Sequence, residues 1–101
     1  MNTFQALADP VRVRIVESLA AQPRTVNEVV GLFNLTQPAI SHHLKVLRET
    51  GLVTSTTDGQ TRIYRLNPRP LQEMDTWLQT YRRFWATALD QLEEHMDRNP
   101  E

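Results

Sequence analysis

The last third of the chain carries an apolar repeat that a body this small cannot cover. Leu71, Met74, Leu78, Tyr81, Trp85, Ala88 and Leu92 alternate spacings of three and four residues. That is an a/d heptad, the pattern of a helix that pairs along a seam. Trp77 and Phe84 widen the stripe on one side, and Leu89 and Met96 extend it on the other. At about 1.5 Å per residue, a helix from Leu71 to Asp97 would run roughly 40 Å. The whole chain has 101 residues, 40% of them apolar, which is enough for one modest core. The stripe therefore needs a partner, and a stable dimer is expected.

Upstream, the apolar period marks shorter helices. Phe4 and Leu7 belong to a short leading one. Asp9-Pro10 reads as an N-cap followed by proline at the first helical position, where no amide donor is required. Val11, Ile15, Val16 and Leu19 then repeat at helical spacing, while Arg12, Arg14 and Glu17 point elsewhere. Gln22-Pro23-Arg24 is a break. Thr25-Val26-Asn27-Glu28 fits a capping box and opens a helix expected to end near Phe33. Thr36 is the next cap, with Pro38 in the first turn. From there Ile40, Leu44 and Leu47 form an i, i+4, i+7 stripe flanked by His43 and Val46. The opposite side carries Gln37, Ser41, His42, Lys45 and Arg48, and Gly51 is placed to end the helix in a left-handed conformation.

After Gly51 the period changes. Leu52 to Thr57 is rich in β-branched residues, Asp58-Gly59 is a two-residue hairpin turn, and Gln60 to Leu66 returns as a strand. Tyr64 and Leu66 share one face of it, Ile63 and Arg65 the other. A lone hairpin is marginal in water, so this one leans on the helices. Asn67-Pro68-Arg69-Pro70 closes it. Helix, turn, helix, hairpin is the order of a winged helix-turn-helix. The expected fold is mainly α with a small β-hairpin. Residues 1–70 form the winged body with its N-terminal helix, and 71–101 a long C-terminal dimerisation helix of the same domain.

The net charge of -1 hides a segregation. Residues 36–70 carry five Lys/Arg and two Asp/Glu, whereas residues 71–101 carry three and seven. A basic middle with an acidic tail suggests that one face meets a polyanion. A mean hydropathy of -0.48 and the lack of a long apolar run exclude a membrane span, which needs about 20 residues. No signal-peptide pattern opens the sequence, so a cytoplasmic location is expected. Cysteine is absent, which removes disulfides and thiolate metal sites together.

The segment from Thr36 to Glu49 is the most informative. Taken singly it could be an ordinary amphipathic surface helix. A short capped helix precedes it, a basic hairpin follows it, and its polar face has no acidic residue before Glu49. Together these point to a major groove, with Gln37, Ser41 and His42 near base edges and Lys45 and Arg48 nearer phosphates. Arg62, three residues past Gly59, is the better wing candidate for a backbone or minor-groove contact; Arg65 is the other. Adjacent histidines on a helix point about 100° apart, so His42 and His43 cannot chelate one metal. His43 borders the apolar stripe and reads as a packed, hydrogen-bonded histidine. Ser41 beside His42 has no acidic orienter nearby, and no enzyme is expected.

Asp9-Pro10-Val11-Arg12-Val13-Arg14-Ile15 and the run from Thr36-Gln37-Pro38-Ala39-Ile40-Ser41-His42-His43-Leu44-Lys45 to Gly51-Leu52-Val53 closely resemble the ArsR-type winged-helix repressors. The match covers about residues 4–66. It implies a homodimer whose first and last helices pair across a two-fold axis. By that resemblance Phe4 joins Leu71, Met74, Leu78, Tyr81, Trp85, Leu89 and Leu92 as dimerisation residues. It further implies recognition helices in successive major grooves of an imperfect inverted repeat in double-stranded DNA, blocking transcription. Gln37, Ser41 and His42 are then base-proximal, with Arg62 on the wing.

The sequence departs from the family in its sensor sites. Many relatives bind thiophilic metals through cysteines in the helix matching Val26–Phe33, and none is present here. Others use an Asp-x-His pair on the last helix, but Asp75 is followed by Thr76 and Trp77. No metal and no cofactor are therefore expected, and an effector, if any, would be a small molecule or a protein. Two other readings stand beside this one. One is a metal-responsive repressor using His95 with Asp90, Glu93, Glu94 and Asp97 across a dimer. The other is a winged protein-interaction module that does not bind DNA.

Overall fold

The computed structural model describes residues 1–98. It contains α1 (Thr3–Leu7), α2 (Pro10–Ala21), β1 (Arg24–Thr25), α3 (Val26–Val30), α4 (Gln37–Glu49), β2 (Val53–Asp58), β3 (Thr61–Leu66) and α5 (Arg69–Arg98). Contacts divide the chain after Leu71 into two compact units.

In the first unit each helix starts where a side chain takes up amides that the helix leaves without partners. The Asn2 carboxamide accepts from the Gln5 amide at 2.9 Å, and Gln5 returns the bond. Asp9 Oδ1 accepts from the amides of Val11 at 2.8 Å and Arg12 at 3.2 Å, with Pro10 opening α2. Thr25 and Glu28 close the expected capping box on α3, and Thr36 Oγ1 accepts from the Ala39 amide at the head of α4. Gly51, at φ 83°, supplies the left-handed residue that stops α4.

Four boundaries differ from the sequence reading, each for a local reason. α3 ends at Val30 rather than near Phe33, because the amides of Leu32 and Phe33 turn to the carbonyls three residues back. That tightened exit carries Phe33 onto the core. The hairpin loop is Gly59-Gln60 rather than Asp58-Gly59, since Asp58 still pairs with Thr61. Gly59 takes the positive φ, 64°, that the first position of a II′ turn requires. The break at Gln22-Pro23-Arg24 contains a strand start. Arg24 and Thr25 pair with Tyr64 and Ile63, giving a three-stranded antiparallel sheet in the order β1-β3-β2. Finally, α5 begins at Arg69. Asn67 anchors its start by accepting from the Arg69 amide while donating to the Gly51 carbonyl.

One core holds this unit together. Ile15, Val29, Ile40, Leu44, Leu47 and Leu52 are fully buried, and Tyr64 of β3 closes it from the sheet side. The stripe read on α4 is thus the centre of the body. Leu71, assigned by sequence to the pairing seam, also packs against this core, where it is half-buried.

The second unit is α5 from Gln72 onward. The thirty residues of α5 amount to about 45 Å at 1.5 Å each. None of them is buried. Met74 is half-buried, while Leu78, Tyr81, Phe84, Trp85, Leu89, Leu92 and Met96 are exposed. Trp77 and Tyr81 pack one turn apart with their rings tilted by 59° and their centroids 5.1 Å apart. Among the described residues no helix is long and apolar enough to cross a membrane.

Leu44 has no solvent contact and sits in the middle of the α4 stripe. Leu44→Ala is expected to lower stability by about 2–5 kcal/mol, through lost burial and the cavity left behind. Urea denaturation followed by circular dichroism checks this. A loss below about 1 kcal/mol would mean that the body does not depend on this stripe.

Candidate nucleic-acid interface

The face of α4 opposite the core is set by helical period alone. Gln37, Ser41, His42, Lys45 and Arg48 are all exposed on it. Among the described residues, the side chains of Lys45 and Arg48 have no ion pair or hydrogen bond within the chain. Two cations on a rigid helix are therefore available to an external anion. Ser41 and His42 share no hydrogen bond, so the pair carries no nucleophile–base geometry.

The wing separates its two arginines. Arg65 donates through Nη1 to Thr56 Oγ1 at 2.6 Å across the hairpin. Arg62 makes no such bond. It lines a polar groove of about 200 Å³ with Thr25, Val26, Asn27, Gln37, Gln60 and Thr61. The groove brings the start of α4, the start of α3 and the wing loop together. Asn27, Gln60 and Thr61 were not singled out in the sequence. No spacing rule connects residues 27 and 61; only the β1–β3 pairing places them side by side.

Arg12 was also missed. Its side chain is only 11% exposed. Nε donates to the Ala6 carbonyl at 2.7 Å, one Nη lies 3.7 Å from Asp9 Oδ2, and the same Nη is 3.4 Å from His43 Nδ1. A guanidinium only donates, so His43 Nδ1 accepts, and the imidazole is neutral with its proton on Nε2. Burial pushes the His43 pKa below its ordinary value; Asp9 opposes this, while Arg12 and His42 add to it. For Asp9, burial raises the pKa. The amides of Arg12 and Val11, with the charge of Arg12, outweigh that and hold it below the usual value. At the turn between α3 and α4, the Arg14 guanidinium lies 4.9 Å from the centre of the Phe33 ring.

Elsewhere, Phe4 is exposed on α1. Glu94 is ion-paired to Arg98 at 2.6 Å. Among the described residues no group of three or more His, Asp or Glu side chains converges as a metal cage.

Residues 9–55 match the sequence profile described as bacterial regulatory protein, arsR family. The chain is 42% identical over 88 residues to the HTH-type transcriptional regulator Rv2034 of Mycobacterium tuberculosis, covering 87% of this chain and 79% of that protein. The chain belongs to the ArsR family. The transcriptional repressor SdpR of Bacillus subtilis is another relative, 34% identical over 77 residues, covering 76% of this chain and 86% of the repressor. Among solved structures, the ArsR-like transcriptional regulator from Rhodococcus sp. RHA1 superposes with a TM-score of 0.73 at 25% identity. That match covers 90% of this chain and 86% of the other. This ArsR-family protein is therefore a winged helix-turn-helix, DNA-binding regulator of transcription.

The His43 contact gives the fold a pH dependence of definite sign. The folded state favours neutral imidazole, so below pH 6.5 the unfolded chain binds the extra proton more readily. Stability is expected to be full above that pH and to fall as the solution is acidified through the window just beneath it. His43→Gln keeps an acceptor for Arg12 and removes this titration. Urea midpoints measured against pH should show a slope in the native chain and a flatter line in the variant. Equal slopes would assign the effect to other groups.

Proposed function

We propose that this ArsR-family regulator acts as a homodimeric repressor on an imperfect inverted repeat. The observation that carries the reading is the two-sided construction of α4. Its inner stripe is sealed in the core, while Lys45 and Arg48, cations whose side chains have no partner among the described residues, stand on a face free of carboxylates before Glu49. Gln37, Ser41 and His42 are the base-reading residues in this account, Lys45 and Arg48 hold phosphates, and Arg62 serves the wing. The SdpR relative is named a transcriptional repressor, which favours repression as the sign of regulation.

Dimerisation through α5 supports the same reading. Leu78, Tyr81, Trp85, Leu89 and Leu92 remain exposed along one helix, together with the flanking Phe84 and Met96. Each such side chain taken out of water contributes about 1.5–3 kcal/mol. The stripe on two copies thus outweighs the roughly 4–15 kcal/mol cost of association. Residues 1–70 act as the reading body, the helix from residue 71 to 98 as the pairing element, and Phe4 joins the seam; residues 99–101 of the expected pairing helix lie outside the described residues.

Sedimentation is expected to show a dimer at micromolar concentration. Leu78→Ala with Trp85→Ala should yield a monomer that binds DNA weakly although its reading face is intact. A wild-type monomer would refute the dimer.

A duplex selected by the protein from a randomised pool should show two half-sites related by inverted symmetry, their centres about 34–36 Å apart or a multiple of that. Affinity should fall by about a thousandfold or more between 50 and 200 mM salt. Lys45→Glu and Arg62→Glu should abolish binding. Salt-independent binding, or full regulation after both reversals, would favour a protein-interaction module instead.

A further inference from the structure

We infer that the groove between α3, the start of α4 and the wing loop seats one phosphate of the DNA backbone, held by Asn27, Thr61 and Arg62. This rests on the DNA-binding reading above and extends it to residues that the α4 face does not include.

The lining chemistry selects an anion. Carboxamides come from Asn27, Gln37 and Gln60, a hydroxyl from Thr61 and a guanidinium from Arg62, within about 200 Å³. No carboxylate lines the groove. Glu28, the nearest in sequence, is turned back to accept from the Thr25 amide at 3.0 Å. Among the described residues, none of the Asn27, Thr61 and Arg62 side chains has a hydrogen-bond partner, and all three are exposed. A metal cation would find no charged ligand here. A phosphodiester fits, because its two free oxygens accept from the arginine fork while neutral donors complete the set.

The groove also explains why Arg62 and Arg65 differ. Arg65 is committed to Thr56 across the hairpin, and only Arg62 faces a space shared with α4. A phosphate held there would lie beside Gln37, the first residue of α4. Backbone contacts fix register without carrying sequence information. Asn27 and Thr61 are accordingly positioning residues that anchor the backbone beside Gln37 and read no base.

The test uses the full chain, a duplex that the wild type selects from a randomised pool, and an unselected duplex. Asn27→Ala and Thr61→Val, both at exposed positions, should each weaken binding to both duplexes by about tenfold. Melting temperature and base preference should stay unchanged. Arg62→Ala should lower the slope of log affinity against log salt by about one per protomer. A single uncharged methylphosphonate linkage in each half-site should erase the difference between wild type and Asn27→Ala. Wild-type affinity in both Asn27→Ala and Thr61→Val, with Lys45→Ala still weakened, would overturn the groove and leave the DNA reading standing. A changed base preference would also overturn it, since the residues would then read bases. Saturable binding of inorganic phosphate to the free protein, without any effect of the variants on DNA, would assign the groove to a free ion and overturn it too. Failure of the wild type to bind any duplex would sink the underlying reading itself.

Discussion

The structure depends on one helix serving two environments at once. Ile40, Leu44 and Leu47 of α4 have no solvent contact, and a third of a turn away Ser41, Lys45 and Arg48 are exposed. A body of 71 residues has no spare core for a separate scaffold, so the reading element is itself the structural centre. That has a functional benefit. Side chains projecting from a packed helix are held more narrowly than side chains on loops. Thr36 and Gly51 then fix where this helix starts and stops, which sets how much of it is presented.

Arg12 joins the packing to the electrostatics. Its guanidinium spans the end of α1, the cap of α2 and the flank of α4, through Ala6, Asp9 and His43. Apolar contacts alone would let α4 slide or roll by small amounts. A fork with fixed directions makes such movement costly, because each shift leaves a half-buried donor unsatisfied. The neutrality of His43 is part of this arrangement, as a protonated ring would present a second cation to Arg12.

Periodicity, caps and turn glycines made most of this architecture legible in the sequence. The α4 stripe, the Thr25–Glu28 box, the left-handed Gly51 and the hairpin could each be read from local spacing. What stayed hidden involves partners distant in sequence. Two residues of β1 are too few to show alternation, and they form a strand only because the free edge of β3 accepts them. Arg12 looked like a surface charge, since its partners include backbone carbonyls that no side-chain pattern reveals. Leu71 kept the heptad spacing, yet it also packs against the core of the body, a contact that spacing along one helix does not reveal. Asn27 and Thr61 were invisible for the same reason as β1: the strand pairing that makes them neighbours is itself non-local.

The exposed stripe on α5 and the cations on α4 belong to one mechanism in the proposed dimer. A single reading face has few phosphate contacts, so alone it binds weakly and with little discrimination. Once two faces are joined, engagement of the second becomes intramolecular, at an effective concentration set by the stiffness of the link. A flexible tether would spread that concentration over many separations. Pairing through a continuous helix of thirty residues, bearing aromatic side chains at heptad spacing, would confine it to fewer. In that proposed dimer, spacing between half-sites would become a recognised feature of the DNA in its own right, set by Leu78, Tyr81 and Trp85 and not by any base-reading residue.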